Sequence, residues 1–220
     1  ELNIDHFKSW YYKKFIMPYT AVIDLEKTED EILSTMKSKG RYNIKLARKK
    51  WVEVHEVEKN DENIAKYHKL MLETTSRDNF NWNNFDYYKT FLNSIDSSKF
   101  LLAYVDWNVI AGWIFTFWKE ASIYYYWASS GDKIYRNLMS PYLLQWEAIK
   151  IAKSVWTKYY DFLWVASPNE KNSSLAWVTD FKKKLSQDIR AVSNSYIYVN
   201  KTFKFKLILI IKHIKKYLLK

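Results

Sequence analysis

The sequence predicts an α/β protein whose mixed, mostly antiparallel sheet is flanked by helices, and three observations support this fold class. Segments rich in β-branched and aromatic residues alternate with segments whose apolar residues recur at helical spacing. Between residues 100 and 128, three strand-like segments follow one another with short connections, as in an antiparallel meander. Apolar residues form 48% of the 220 residues, which suffices for a packed core and excludes a disordered chain.

Before the meander, the sequence predicts two strands and four helices. The first helix begins at Thr28, because Thr28 and Glu31 have the capping-box spacing in which each side chain accepts from the other residue's backbone amide. Ile32, Leu33 and Met36 form the apolar positions of this helix. The other elements follow from apolar periodicity: strands at residues 20–25 and 52–57, and helices at residues 41–50, 61–75 and 85–95.

From the meander onward, strands and helices alternate and the chain ends in a basic helical tail. A meander followed by a strand, a turn and a helix is the plan of the N-acetyltransferase superfold, and we predict that fold. The predicted strands lie at residues 100–105, 109–117, 123–128, 159–162 and 195–199, and the predicted helices at residues 138–155, 175–184 and 202–220.

The formal net charge of the chain is +11. A basic surface predicts a polyanionic partner, which is a nucleic acid, a phosphorylated substrate or an anionic lipid. An AT-rich genome explains the same excess of lysine without any partner. Both explanations stay open from composition alone.

Cysteine and histidine usage argues against a metal site. The chain has no cysteine, which excludes disulfides and cysteine-ligated zinc, and its four histidines are scattered. We therefore predict neither a metal nor a bound cofactor. The first residues lack a signal-peptide pattern, and the apolar segment Leu207–Ile211 is too short to span a bilayer. We expect a cytoplasmic protein, with the inner face of the membrane as an alternative place of action, and a chain that begins inside a longer protein.

Several segments resemble the FemABX family. Residues Tyr135–Ile149 resemble the family segment YRNLMPNYLLQWEAI. The other matches, in chain order, are Thr20–Leu25 with TVVLDL, Lys37–Lys50 with MKSKTRYNIRLAEKK, Tyr159–Phe162 with KYYDFGG, and Phe181–Lys183 with RFKKGFGG. Family members carry two tandem N-acetyltransferase-like domains. The resemblance therefore implies the end of a first domain at residues 1–17, a second domain at residues 18–200, and a basic helix at residues 201–220 that packs back on the first domain.

The resemblance implies an enzyme of peptidoglycan cross-bridge synthesis, acting as a monomer. Family members transfer an amino acid from aminoacyl-tRNA to the peptide stem of a UDP-linked or lipid-linked peptidoglycan precursor. The basic charge fits these two polyanions. If the first domain is missing, the isolated fragment should be inactive. Two alternatives are a related enzyme that uses acyl-CoA or another activated donor, and a non-enzymatic RNA-binding module.

The turn before the predicted helix at residue 138 discriminates between donors. Acetyl-CoA enzymes of this superfold place a glycine-rich turn here, so that backbone amides and the helix N-terminus bind a pyrophosphate. In this chain the turn has no glycine, and Leu138 and Met139 obstruct close approach of a ligand to the backbone. The turn therefore favours the tRNA-dependent enzymes.

Lys182 is the predicted catalytic residue, because it aligns with a family lysine that faces the acceptor and the tRNA end. A cation there would stabilise developing negative charge. Consecutive residues on a helix point about 100° apart, so Lys182 can face inward while Lys183 and Lys184 face water. The alternative is a solvated lysine run. Phe181 would pack beside the site or in the core.

Four further residues are predicted to contact substrate. Arg136 and Asn137 precede a helix N-terminus and would hold a phosphate, although Asn137 also suits a helix cap. Tyr126 lies in a run of three tyrosines on a central strand, so one face of that run points away from the site. Asp161, expected at a strand end, would act as a base or orienting group, or would cap a turn.

Two basic segments are candidates for polyanion contacts. The tail combines apolar residues with lysines, as a helix on an anionic membrane would, but it equally suits a helix packed on the first domain. The helix near residues 37–50 suits either a tRNA-phosphate surface or a solvated face; its basic residues are Lys37, Lys39, Arg41, Lys45, Arg48, Lys49 and Lys50.

Tryptophan is present eleven times and glycine only three times. Tryptophan often stands where the family pattern has glycine. At Asp106-Trp107, between two strands, glycine is the favoured hairpin residue because it adopts positive φ without strain. The simplest explanation is that the source reads UGA as glycine, and the alternative is true drift to tryptophan. The seven positions are Trp51, Trp107, Trp118, Trp127, Trp156, Trp164 and Trp177.

Overall fold

The structure, a computed structural model, describes residues 17–78, 83–170, 173–192 and 200–218. In these residues the strands are β1 Tyr19–Asp24, β2 Glu53–Glu56, β3 Ser98–Val105, β4 Asn108–Trp118, β5 Ala121–Ser129, β6 Tyr159–Val165 and β7 Asp188–Ala191. The helices are α1 Glu29–Thr35, α2 Ser38–Lys49, α3 Asp61–Asp78, α4 Phe85–Ser94, α5 Lys133–Arg136, α6 Ser140–Ser154, α7 Ala176–Leu185 and α8 Thr202–Leu218.

The seven strands form one sheet in the order β2-β3-β4-β5-β6-β1-β7. Neighbours from β2 to β5 are antiparallel, as are β6 and β1. Strands β5 and β6 are parallel, and their paired register runs only from Ala121–Ile123 on β5 to Tyr159–Asp161 on β6. Beyond this short register the two strands separate, which opens the sheet between them. The predicted fold class, a mixed and mostly antiparallel sheet flanked by helices, is confirmed.

Two apolar cores cover the two faces of the sheet. Alternate residues of β3 enter different cores, with Leu101 and Ala103 in one and Phe100 and Leu102 in the other. The first core also contains buried residues of α1, α2, α6 and α7, and the second contains those of α3 and α4. A strand buried on both faces has no polar side to expose, which explains why β3 is continuously apolar from residue 100 to residue 105.

The predicted elements agree with the structure with a few differences. The capping box is present, since Thr28 Oγ1 accepts from the Glu31 amide and Glu31 accepts from the Thr28 amide. The short helix α5 and the short strand β7 were not predicted, because four residues are too few for periodicity to show. Strand β6 extends to Val165, three residues past its predicted end. The strand predicted at residues 195–199 lies outside the described residues.

Three of the seven tryptophans at glycine-like positions have left-handed backbones. Trp51, Trp107 and Trp156 have φ values of 60°, 65° and 62°, and they are 82%, 97% and 89% exposed. Trp51 and Trp156 directly follow the C-caps of α2 and α6, where helices favour glycine. Trp107 and its neighbour Asp106, at φ 45°, form the β3–β4 hairpin turn. The prediction that Trp107 lies in an exposed hairpin turn is confirmed.

The described residues divide into two compact units, one of residues 19–190 and one that contains residues 17–18, 191–192 and 200–218. The domain bounds predicted from the family resemblance stay a prediction. In the second unit, α8 is amphipathic and exposes large apolar side chains, including Phe203, Leu207 and Ile210. Within the described part of the chain, every helix is too short or too polar to cross a bilayer.

Candidate functional site

A cleft of about 250 Å³ opens at the N-terminal end of α6. Its walls come from the C-terminal end of α3, strands β4 and β5, the α5–α6 turn and α7. Two predicted site residues, Arg136 and Phe181, line this cleft. Arg136 is exposed, whereas Phe181 is half-buried and its ring meets that of Tyr142 at 4.9 Å.

The backbone at the start of α6 has few free amides. Met139, the N-cap, is left-handed at φ 57°, and Pro141 has no N–H. The amides of Leu138, Met139 and Tyr142 already donate to the carbonyls of Tyr135, Arg136 and Met139, respectively. This helix start is therefore poorly equipped to bind a pyrophosphate through its backbone, as the absence of glycine from the turn predicted.

The opposite rim of the cleft is held by a partly buried polar network. Arg77 pairs with Asp78 at 2.8 Å and also donates to the carbonyls of Ser129 and Ser130. Glu73 accepts from the Ser130 hydroxyl at 3.0 Å. Because these bonds tie the end of α3 to the end of β5, the rim keeps its shape without a ligand.

Lys182 is buried at 5% exposure, as predicted for an inward-pointing residue, but it does not line the cleft; Lys183 and Lys184 are only partly buried. Its ammonium donates to the carbonyls of Trp164 at 2.8 Å and Leu163 at 3.3 Å. It also lies 5.7 Å from the centre of the Tyr124 ring. Lys182 thus bridges the gap where β5 and β6 separate. Burial lowers the pKa of Lys182 to about 7, and the charge of Asp161 partly opposes this effect.

Asp161 lies within β6 rather than at its end, which corrects the sequence-based expectation. Its carboxylate accepts from the Leu163 amide at 2.7 Å and from the Thr20 hydroxyl. The β1–β6 register shifts here, and Leu163 is left-handed at φ 53°. Asp161 therefore fixes a bulge in β6, and this bulge presents the carbonyls that bind Lys182.

A row of aromatic rings connects the cleft to Lys182. The Trp177 ring lies 5.4 Å from that of Trp127, which lies 6.0 Å from that of Trp113. Trp113 in turn stacks on Tyr124 at 5.5 Å. The three indoles line the cleft, whereas Tyr124 and Lys182 lie behind them. The aromatic row, defined as Trp177, Trp127, Trp113 and Tyr124, fills the space between the cleft and the ammonium.

Tyr126 lies on the opposite face of the sheet from Lys182. Its ring packs against Tyr88 and Phe91 of α4, and its hydroxyl lies 2.7 Å from that of Tyr87. A bulge at Tyr125 explains this placement, because Phe115 pairs with Tyr124 while Ile114 pairs with Tyr126. Simple alternation along β5 would have placed Tyr124 and Tyr126 on the same face.

Asn137 does not contribute to the cleft or to the start of α6. It is exposed, it forms the C-cap of α5, and its amide donates to the Lys133 carbonyl. The N-cap of α6 is Met139, which has no side-chain cap. The alternative interpretation of Asn137 as the cap of α6 is therefore wrong. The position of Asn137 outside the cleft also gives no support to its predicted contact with a phosphate.

The basic residues near positions 37–50 fall into two groups, those that contact other elements of the fold and those that are exposed. Arg41 donates to the Met36 carbonyl at the end of α1, and Arg48 pairs with Glu147 of α6 at 3.0 Å. The remaining basic residues are exposed, with Lys39 5.3 Å from the Tyr42 ring centre. Five of the seven predicted charges, Lys37, Lys39, Lys45, Lys49 and Lys50, are thus available to a polyanion.

Sequence reasoning missed several of the residues that line the cleft. Arg77, Asp78 and Trp113 stand in ordinary helix and strand patterns, so their positions carry no signal. Trp127 and Trp177 were singled out, but as glycine-like positions rather than as walls of a site. Their meeting depends on how α7 packs on the sheet.

The open sheet, with a cleft at the start of α6 and a buried lysine at the β5–β6 gap, defines an N-acetyltransferase-like fold. The structure is similar to the crystal structure of FemX, with a TM-score of 0.82 and 17% identity over 94% of this chain and 69% of that one. It is also similar to the C-terminal domain of a putative lysylphosphatidylglycerol synthetase from Agrobacterium fabrum, with a TM-score of 0.60 and 11% identity over 94% and 65%. L-PGS from Bacillus licheniformis gives a TM-score of 0.52 and 13% identity over 91% and 66%.

The FemAB family model matches residues 5–110 and 106–213, and the chain belongs to the FemAB family. Comparison with curated protein sequences gave no match. The chain spans about two-thirds of the length of the three solved structures. Family membership supports a transferase.

Proposed function

We propose that the protein transfers an amino acid from aminoacyl-tRNA to the peptide stem of a peptidoglycan precursor. Membership of the FemAB family supports cross-bridge synthesis as the process. The observation that carries the choice of donor is the start of α6, where Pro141 and three occupied amides leave little backbone to bind the pyrophosphate of CoA.

In this reaction the amine of the precursor attacks the ester carbonyl of the donor. The new C–N bond forms, the ester C–O bond breaks, and the ribose oxygen of the tRNA leaves with a proton. The chemistry requires positioning, removal of a proton from the amine and stabilisation of the oxyanion. We assign both charge tasks to Lys182, because burial holds its pKa at about 7 and both protonation states are then populated near neutral pH. Since Lys182 lies behind the side chains that line the cleft, this role requires those side chains to move aside when substrate binds.

Arg136 supplies a cation at the mouth of the cleft. It lies one turn before α6 and lines the cleft, and no ion pair occupies it in the described residues. The terminal phosphates of a tRNA would contact such a group, and the exposed lysines of α2 would add weaker, salt-sensitive attraction. The acceptor is a UDP-linked or lipid-linked precursor, and contact with an anionic membrane through α8 suits the lipid-linked form.

The test measures transfer of a radiolabelled amino acid from aminoacyl-tRNA to UDP-linked and lipid-linked precursors, with acetyl-CoA as the competing donor. With the complete enzyme we expect label in the precursor, and with this chain we expect no effect of CoA on thermal stability. Acetyl transfer from acetyl-CoA would show that the donor is acetyl-CoA rather than aminoacyl-tRNA. Binding of tRNA without transfer would favour an RNA-binding module.

Two variants of α5 provide a matched pair for donor binding. Arg136→Ala removes a charge that lines the cleft, and Lys133→Ala removes an exposed charge of the same short helix outside it. We expect Arg136→Ala to weaken aminoacyl-tRNA binding more than Lys133→Ala at equal salt. Equal losses would mean that both residues act only through general attraction.

A further inference from the structure

We propose that the outward face of α2 binds the sugar–phosphate backbone of an RNA duplex. This face is defined as Lys39, Tyr42, Lys45, Lys49 and Lys50. The inference rests on the proposed function for the identity of the duplex as part of a tRNA. The binding of duplex RNA to this face is tested without any transfer reaction.

The segment around α2 carries only positive charge. Between Glu31 and Glu53 the chain has no acidic residue. Lysines on other elements, such as Lys66 and Lys158, pair with a carboxylate. Within the described residues, the exposed lysines of this segment form no ion pair; they are Lys37, Lys39, Lys45, Lys49 and Lys50. A polyanion-binding surface requires this concentration of unpaired cations on one element.

The fold turns these charges to one side of the helix. The residues of α2 that are buried are Gly40, Asn43, Ile44 and Ala47. Because consecutive residues point about 100° apart, Tyr42, Lys45 and Lys49 lie on the opposite side from these four. Lys39 and Lys50 are eleven positions apart, so the cations extend over about 16 Å at 1.5 Å per residue. A row of this length lies along several phosphates of a duplex.

Contacts with three neighbouring elements hold α2 in place. Arg41 donates to the Met36 carbonyl at the end of α1, and the Lys37 amide donates to the Lys184 carbonyl of α7 at 3.1 Å. Arg48 pairs with Glu147 of α6 at 3.0 Å. Glu147 also pairs with a lysine of its own helix, so it is already neutralised. The backbone of α2 is therefore ordered before a ligand binds, which reduces the entropy cost of binding.

The composition of the outward face favours RNA over an anionic membrane. A helix that lies in a membrane surface inserts an apolar face, whereas Ile44 and Ala47 of α2 are buried in the core. Tyr42 is 56% exposed, and the Lys39 ammonium lies 5.3 Å from its ring centre. Duplex RNA is recognised through phosphates and 2′-hydroxyls rather than through its narrow major groove. Lysine ammoniums and a tyrosine hydroxyl are suitable partners for these groups.

The outward face belongs to a helix that adjoins the walls of the cleft. Helix α2 packs on both α6 and α7. These two helices also line the cleft, through Tyr142 of α6 and through Val178 and Phe181 of α7. A duplex bound to α2 would therefore lie on the same side of the sheet as α6 and α7, and its single-stranded end would be directed to the cleft.

The first experiment measures binding of the 220-residue chain to a fluorescent RNA hairpin that ends in single-stranded CCA. Lys45→Ala/Lys49→Ala should weaken binding about tenfold at about 0.1 M salt and reduce the slope of log K against log salt by about 1–2, because two phosphate contacts are lost. The control is Lys66→Ala/Lys69→Ala, which removes two exposed lysines of α3 on the opposite face of the sheet. The control should bind the hairpin almost as the unchanged chain does, and equal losses in both variants would overturn the inference.

The second experiment maps the contact by protection of lysines from acetylation. The chain is treated with an acetylating reagent with and without the hairpin, and its peptides are analysed by mass spectrometry. We expect the hairpin to protect Lys39, Lys45 and Lys49 but not Lys69 or Lys119. The trinucleotide CCA should protect none of these lysines, because it has no duplex. Absence of protection on α2 by the hairpin, or equal protection by the trinucleotide, would contradict a duplex-binding face.

Two further outcomes separate the partner from the reaction. If Lys45→Ala/Lys49→Ala lost binding to phosphatidylglycerol vesicles but kept its affinity for the hairpin, the face would bind a membrane and the inference would be wrong. If the variant lost hairpin binding while the complete enzyme used acetyl-CoA as its donor, the RNA-binding face would stand. The second result would contradict the proposed aminoacyl-tRNA donor instead.

Discussion

Lys182 and Asp161 bind the same residue, Leu163, whose amide donates to Asp161 at 2.7 Å and whose carbonyl accepts from Lys182 at 3.3 Å. The left-handed bulge at Leu163 therefore couples an acid on β6 to a buried cation on α7. Since the bulge sits beside the gap between β5 and β6, the position of the ammonium depends on this local distortion of the strand.

Replacement of Lys182 should impair transfer far more than replacement of its neighbours. In a complete enzyme, Lys182→Ala removes a buried cation, and a loss on the order of 10²–10³ in turnover is expected for one oxyanion-stabilising group. Lys183→Ala and Lys184→Ala should have small effects that added salt screens. Transfer rates at saturating aminoacyl-tRNA and precursor, at two salt concentrations, check this. Equal, salt-sensitive losses in all three variants would contradict the assignment of Lys182.

Lys182 should make stability rise with pH. Burial lowers its folded pKa to about 7, below its ordinary value of 10.5, so the folded chain binds fewer protons than the unfolded chain between these values. The contribution of Lys182 to the free energy of unfolding therefore rises between pH 7 and pH 10.5, by at most about 1.4 kcal/mol per pH unit. Below pH 7 the lysine is protonated in both states, and the full destabilisation from its burial as a cation is present. Lys182→Met should remove this slope in urea titrations at several pH values. Lys183→Met is the control, and an unchanged slope in Lys182→Met would show that the buried lysine is not its source.

Glycine should stabilise the chain at the three left-handed tryptophans. Trp51→Gly, Trp107→Gly and Trp156→Gly relieve backbone strain of about 1–2 kcal/mol, and part of this gain is offset by the flexibility of glycine in the unfolded state. A net gain of roughly 0.5–1 kcal/mol per site is expected in urea denaturation. Trp118→Gly is the matched control, because Trp118 is 66% exposed but has no left-handed backbone. A gain at Trp118 equal to the others would rule out backbone strain as the cause.

The gene should encode the glycine-like tryptophans with UGA. The seven positions coincide with family glycines, and the backbones at Trp51, Trp107 and Trp156 independently suit glycine. Sequencing the source DNA decides the matter directly. UGG at most of these seven codons would show that the tryptophans are genuine, and mass spectrometry of the native protein would then find tryptophan at each of them.

Gly40 should not tolerate a side chain, although alanine normally stabilises a helix. A Cβ at Gly40 on α2 would lie 2.2 Å from the carbonyl oxygen of Lys184 on α7. Relief of this clash must move α7, and a loss of about 1–3 kcal/mol is expected for Gly40→Ala. Gly131→Ala, where nothing lies within 4 Å of the new Cβ, should be nearly neutral in the same thermal or urea unfolding experiment. A neutral Gly40→Ala would mean that α2 and α7 pack less tightly.

The sequence by itself determined the order of the elements, because their periodicities and caps are local. The Thr28–Glu31 capping box and the Asp106-Trp107 hairpin turn were each predicted from two adjacent or nearby residues and are present. Helix geometry showed only that one of the three lysines of α7 can point inward, and the family resemblance selected Lys182.

Only the tertiary structure decided which of the candidate residues share a site. The extra residue Tyr125 shifts the alternation along β5, so Tyr126 faces α4 while Tyr124 faces Lys182. Asp161 lies beside Lys182 because the bulge in β6 is fixed by pairing with β1, more than 130 residues earlier in the chain. Such bulges and pairings arise from contacts between distant segments, and a local pattern contains no information about them.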